Sequence, residues 1–185
     1  MNSRKFAMAL GAGLWLASLA VPGIAALPPG AKAPDFTLSA AQGGKSFNLS
    51  LKQTLRSGPL VLYFFPAAFT PGCTLEAHLF AEANSRFNQL GARVVGVTAG
   101  NIDRVAEFSK SECRSKFAVA ADPGAKVAAE YDATMEGPGK TKLSDRTSFV
   151  IAPDGTILLS FSDRNPRAHI EKTMAAVRAW RAKRG

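Results

Sequence analysis

Cysteine and histidine each occur only twice in the 185 residues, as Cys73 and Cys113 and as His78 and His169. Two cysteines are too few for a disulfide scaffold, so stability has to come from an apolar core. The histidines stand in unrelated segments and no paired Cys/His spacing exists, which argues against a metal site. Internal repeats and low-complexity tracts are missing too, which removes solenoid and disordered classes. Acid is the scarcer charge: 14 Asp and Glu stand against 23 Lys and Arg, a formal net charge of +9. The basic excess thickens at the end, in Arg178, Arg181, Lys183 and Arg184, and reads as a solvated surface, with contact to anionic membrane or wall surfaces as the alternative.

Charge is absent altogether from Phe6 to Val21, just after Arg4 and Lys5, and the small residues Gly23, Ala25 and Ala26 precede Pro28-Pro29. That is the pattern of a secretory signal peptide covering residues 1–26, which leaves one domain over residues 27–185. Gly11, Gly13 and Pro22 interrupt the run and no polar anchor follows, so no stable membrane anchor is expected after cleavage. No cysteine follows the run, which removes a lipoprotein attachment, and Arg4-Lys5 is not a twin-arginine pair. An exported protein, expected in the periplasm, is a poor candidate for nucleic acid binding. In that oxidising compartment two cysteines would ordinarily form one structural disulfide.

Asp35 to Leu38 alternates as a short strand does, Gln42-Gly-Gly-Lys45 makes a turn, and Phe47 to Leu51 resumes the alternation. Pro59-Leu-Val-Leu-Tyr-Phe-Phe-Pro66 is continuously apolar, which suits a central strand covered on both faces. Leu75, Leu79, Phe80, Ala83, Phe87 and Leu90 are spaced for one face of a helix that stops at Gly91. Val94-Val-Gly-Val97 is a second buried strand, so the span makes a βαβ unit with parallel strands. Ile102 to Cys113 reads as a further helix, followed by a strand over Phe117 to Ala121, a turn at Asp122-Pro-Gly124 and an Ala-rich helix ending near Tyr131. Thr147 to Ile151 and Thr156 to Ser160 flank the turn Pro153-Asp-Gly155 as a hairpin. A last helix over Pro166 to Arg181 puts Ile170, Met174 and Val177 on one face. This order predicts an α/β, thioredoxin-like fold, a central mixed sheet flanked by helices, with the site at the start of the helix after the first central strand.

Cys73 falls at that start. The first N–H groups of a helix have no internal partner and carry the positive end of its dipole, which favours a thiolate over a thiol there. Pro71 and Gly72 let the chain turn sharply, Thr70 adds a hydroxyl three residues before the sulfur, and Pro66, with no N–H, can wall the pocket from solvent. Glu76, three residues on along the same helical face, opposes the thiolate, so the site needs a cation. Arg146, directly before the strand Thr147 to Ile151, is the candidate, because a guanidinium can bind the carboxylate and still face the sulfur.

Pro66-Ala-Ala-Phe-Thr70-Pro-Gly-Cys73, followed by Thr74-Leu-Glu76, resembles the active-site signature of the peroxiredoxins. Phe69-Thr-Pro-Gly-Cys-Thr74 is similar to the bacterioferritin-comigratory, or Q-type, subgroup, as are Arg146-Thr-Ser-Phe-Val-Ile151 with Pro153-Asp-Gly155 and the lead-in Gly30 to Leu38. The resemblance spans residues 27–185. It implies a thiol peroxidase that needs no metal or organic cofactor, in which the Cys73 thiolate attacks the O–O bond of hydrogen peroxide or an organic hydroperoxide and becomes a sulfenic acid. Thr70, the Cys73 N–H and Arg146 would hold the two oxygens, and Glu76 would orient Arg146 and Thr70. The implied reductant is a thioredoxin-like protein or a small thiol, and a monomer is expected.

Many Q-type members carry a second cysteine five residues after the first. Here that position is His78, read as a partly exposed helix residue and not a catalytic base. Cys113 is then the candidate resolving cysteine. At about 100° per residue Cys113 lies about 20° around the helix from Ile102, on the apolar face with Val105 and Ala106, so a buried core thiol is the competing reading. Two rivals remain. A thioredoxin-type oxidoreductase would need a second sulfur where Pro71-Gly72 stand. An exported thioredoxin-fold binding domain with a permanent Cys73–Cys113 disulfide explains the cysteine count, but gives no reason for Thr70, Glu76 and Arg146 to accompany Cys73.

Overall fold

A computed structural model describes residues 26–184. Most of the expected signal peptide, residues 1–25, lies outside the described residues. The strands are β1 (Thr37–Gln42), β2 (Lys45–Ser50), β3 (Leu60–Ala67), β4 (Arg93–Gly100), β5 (Ala118–Ala121), β6 (Thr134–Glu136), β7 (Lys142–Ser144), β8 (Thr147–Ile151) and β9 (Ile157–Ser162). The helices are α1 (Leu51–Leu55), α2 (Pro71–Gln89), α3 (Val105–Ser111), α4 (Lys126–Glu130) and α5 (Pro166–Ala182). Seven strands form one mixed sheet in the order β2-β1-β5-β4-β3-β8-β9, and β6 and β7 make a separate hairpin. β3 runs parallel to β4 and antiparallel to β8, which bears out the α/β fold with a central mixed sheet and the βαβ unit.

β3 holds the centre because it has no charge to keep out of the core. Leu60 to Phe65 are all completely buried. Their side chains alternate between the two faces, as a period of two requires. Val61, Tyr63 and Phe65 join a cluster with residues of α2, α3 and α5, while Leu60, Leu62 and Phe64 join one with residues of α1 and α4. Full burial of such a side chain contributes about 1.5–3 kcal/mol, so this one strand anchors both layers. What the rigid strand carries at its C-terminal end is therefore fixed in place.

The structure shifts several expected boundaries. The segment Phe47 to Leu51 divides: β2 stops at Ser50, whose hydroxyl caps α1 by accepting from the Gln53 N–H. Leu75 is not on the apolar face of α2; it is 43% exposed, and Glu76 and Ala77 are buried in its place. The helix expected over Ile102 to Cys113 is shorter: a 3-10 turn over Ile102–Arg104 leads into α3, which ends at Ser111. Asn101, Arg114 and Ser115 adopt positive φ and break the helix at both ends, so Cys113 sits in a turn beyond it. The β6–β7 hairpin has no counterpart in the sequence reading.

Candidate active site

The segment between β3 and α2 is held by its neighbours before Cys73 is reached. The Ala68 N–H donates to the Gly100 carbonyl at 3.2 Å, and Asn101 Nδ2 donates to the Ala68 carbonyl at 2.7 Å. Thr98 Oγ1 donates to the carbonyl of half-buried Pro66 at 3.3 Å. Gly100 is required there, since a Cβ would lie 2.6 Å from the Pro66 oxygen. Phe69 takes φ 63°, a strained value for an aromatic residue. Its ring meets Phe108 edge-on at 5.1 Å and lies under the Arg104 guanidinium at 3.8 Å, contacts that offset the strain.

Thr70 is the N-cap of α2 in extended conformation, and Pro71 supplies a first residue with no N–H to satisfy. The first helical bond runs from the Thr74 N–H to the Thr70 carbonyl at 2.8 Å. The N–H groups of Gly72 and Cys73 thus precede the helical ladder and remain available to an oxygen ligand. Cys73 itself is 1% exposed. The Thr70 hydroxyl donates to the Ala67 carbonyl at 3.0 Å. This corrects one expectation, because the partner that Glu76 engages is Arg146 and not Thr70.

Arg146 arrives from the far side of the sheet. The hairpin β6–β7 delivers Asp145 and Arg146 to the start of β8, where the Asp145 N–H donates to the Ala133 carbonyl at 2.8 Å and Asp145 Oδ1 accepts from the Arg146 N–H at 2.7 Å. The guanidinium then reaches both acidic groups of α2. Nη1 bonds Glu76 Oε2, and Nη2 lies 3.4 Å from Cys73 Sγ. Gly72 makes room for this: a Cβ there would stand 3.1 Å from Nη2.

The electrostatics follow from burial. Glu76 is fully buried, and desolvation pushes its carboxyl up to about 8 against the pull of Arg146. For Arg146 desolvation acts downward, but Glu76 and Cys73 outweigh it and the guanidinium is held above its ordinary value. The cation is therefore permanent, and it is the carboxyl that can change charge.

Cys113 is completely buried among the residues of the α2 layer, and burial, followed by Glu112, pushes its thiol well up. Both cysteines are free thiols. His78 Nε2 lies 2.8 Å from Glu112 Oε2, so the residue at the Q-type second-cysteine position ties α2 to the turn that carries Cys113. Among the described residues no group of three His, Cys, Asp or Glu could hold a metal ion, and no helix is long and apolar enough to cross a membrane.

Four residues at or near the site were not singled out in the sequence. Asn101 and Phe108 hold the loop from α3 and its approach; the one available signal was an asparagine directly after a strand, where a left-handed residue is common. His169 and Ser148 form a buried pair beneath Glu76, with Ser148 Oγ 2.8 Å from His169 Nδ1. Nothing in the local pattern of α5 separates His169 from an ordinary helix residue.

Comparison with known proteins agrees with this geometry. The AhpC/TSA family model matches residues 29–160. Peroxiredoxin Q of Populus jackii is 32% identical over 76% of this chain, which spans only 63% of that relative's length. A peroxiredoxin-named protein of Mycobacterium tuberculosis is 35% identical over 71% of this chain and 86% of its own. The crystal structure of peroxidoxin BcpB from Mycobacterium tuberculosis superposes with a TM-score of 0.73 at 32% identity, covering 82% of this chain and 96% of that one. On the family match, these relatives and the shared fold, the chain belongs to the AhpC/TSA family, the peroxiredoxins.

Proposed function

We propose that this protein is an exported thiol peroxidase that reduces hydrogen peroxide and organic hydroperoxides through Cys73. The observation that carries the reading is the placement of one guanidinium, Arg146, against both the Cys73 sulfur and the buried Glu76 carboxyl. The Cys73 thiolate attacks the nearer peroxide oxygen, the O–O bond breaks, and the sulfur is oxidised to a sulfenic acid while water or an alcohol leaves. Arg146 and the unpaired Gly72 and Cys73 N–H groups face the place where negative charge develops on the leaving oxygen. The Thr70 hydroxyl, directed by its bond to Ala67, presents its lone pairs as acceptors for the peroxide O–H.

The sulfenic acid is then resolved by Cys113, and a thioredoxin-like protein or a small thiol reduces the resulting disulfide. Both cysteines are buried thiols in the folded chain, so the start of α2 and the turn after α3 unwind locally to bring their Cα atoms within about 7 Å. The chain acts as a monomer in the periplasm after removal of residues 1–26. The rival reading, a binding domain with a permanent Cys73–Cys113 staple, has no use for free thiols or for Arg146 against the sulfur. The test is peroxide consumption by the reduced protein and by Cys73→Ser: rapid consumption by the first and none by the second supports the peroxidase, while equal rates overturn it.

A further inference from the structure

Glu76 spends only one oxygen on Arg146. The other, Oε1, is buried and has no hydrogen-bond partner among the described residues. Facing it at 3.8 Å is Nδ1 of His169, a residue of α5 that is itself completely buried. The imidazole is fixed on its other side, where Nε2 lies 2.8 Å from the Asp163 carbonyl oxygen and must donate to it. A neutral ring with Nε2 protonated keeps its lone pair on Nδ1, and that lone pair accepts from Ser148 Oγ at 2.8 Å. Phe161 closes the pocket edge-on to the ring at 5.0 Å. A buried carboxyl oxygen with no donor thus faces, at 3.8 Å, a buried basic nitrogen whose lone pair Ser148 occupies, and a hydrogen bond between them needs a proton and a closer approach.

We propose that Glu76 and His169 share one proton between Oε1 and Nδ1, and that this proton determines how much of the Arg146 charge acts on the Cys73 sulfur and the peroxide. With the proton the pair is neutral, whether it is written as carboxylic acid and imidazole or as carboxylate and imidazolium. Arg146 then acts as a full cation at the sulfur. Without it the carboxylate neutralises the guanidinium and places a negative charge three residues from the thiolate. His169 is a positioning residue, because it acts through Glu76 and Arg146 and touches neither sulfur nor peroxide.

The groups around the pair set where the proton comes off. Arg146, before β8, opposes protonation of both partners; Asp163 and Asp145, on the flanks of the same sheet edge, favour it on His169. Tyr63 from β3 is buried on the same side of the sheet and interacts through charge with Cys113, Glu76, Cys73 and Arg146. Desolvation pushes Glu76 up to about 8 and lowers His169, which leaves the proton on the carboxyl near neutrality. Its O–H then closes on Nδ1 and displaces the Ser148 hydroxyl.

The kinetic consequence rests on the peroxidase reading; the shared proton does not. The experiment follows the ring ¹⁵N resonances of His169 in the reduced full-length protein between pH 5 and 10, in wild type and Glu76→Gln, alongside the second-order rate constant for hydrogen peroxide. A titration step near pH 8 in wild type that disappears in Glu76→Gln, with the rate falling through the same midpoint, is the expected result. His169→Gln, polar but unable to take a proton, moves that alkaline limb by about one pH unit or removes it, and Ser148→Ala, which frees Nδ1 for Glu76, shifts it upward. Flat ¹⁵N shifts, or one superimposable limb in wild type, His169→Gln and Ser148→Ala, overturn the proposal. Should His169→Gln not fold, the wild-type resonances and Ser148→Ala decide alone. A protein that fails to reduce peroxide at all removes the peroxidase reading, while the resonances still decide the shared proton.

Discussion

Arg146 Nη2 lies 3.4 Å from Cys73 Sγ across 73 positions of sequence, and the same side chain bonds Glu76. The sheet makes this meeting possible. β3 and β8 are antiparallel neighbours, so the end of β3 that leads to Cys73 is the end of β8 at which Arg146 enters.

Arg146→Met removes the guanidinium at the sulfur while keeping most of the side-chain volume. Loss of a preorganised charge of this kind lowers a rate constant by about 10²–10³-fold. Arg146→Lys restores a point charge but not the fork that spans Glu76 and Cys73, so it recovers only part of the loss. Competition kinetics with hydrogen peroxide measures both, and a wild-type rate in Arg146→Met would remove the residue from the site.

Burial of Glu76 makes stability depend on pH. Its carboxyl moves from an ordinary 4.5 to about 8 in the fold, so the native state holds a proton that the unfolded chain releases. That contribution is complete below 4.5, falls as pH rises and is gone above about 8. His169, lowered mainly by burial, works the other way: its contribution is present above its ordinary 6.5 and is lost as pH falls. Glu76→Gln keeps the shape and cannot ionise. Urea unfolding from pH 5 to 9 therefore shows a decline in wild type, on the order of a few kcal/mol, that is flattened in the variant.

The Tyr63 hydroxyl is buried with no hydrogen-bond partner among the described residues, while its ring stacks on Phe80 at 4.5 Å. A desolvated, unpaired hydroxyl costs about 1–3 kcal/mol. Tyr63→Phe keeps the stacking and removes that cost. It is expected to unfold at the same or a higher urea concentration and to reduce peroxide at the wild-type rate; a loss of stability above about 1 kcal/mol would show that the hydroxyl has a partner.

The α2 half of the candidate site was legible in the sequence because its residues are local. Pro66, Thr70, Cys73 and Glu76 fall within one strand–loop–helix passage, and the charge-free run of β3 announces its own burial. Arg146 was reachable only through the need for a cation and the family resemblance. His169 and Ser148 were not reachable, because they join Glu76 through the packing of α5 on β8, and no spacing within either element encodes that contact. The misplaced end of α3 has a similar cause. The apolar period continues to Cys113, but the left-handed conformations of Arg114 and Ser115 end the helix first.

In the proposed mechanism Cys73 is the residue that peroxide oxidises and Cys113 the one that resolves it. Rapid mixing of the reduced protein with one equivalent of hydrogen peroxide, followed by intact mass and dimedone trapping, tests it in wild type and Cys113→Ser. Loss of both thiols as an internal disulfide in wild type and a trapped sulfenic acid at Cys73 in Cys113→Ser are the expected results. A sulfenic acid that persists in both would leave Cys113 a core residue, and thiols that survive for seconds in both would contradict the peroxidase itself.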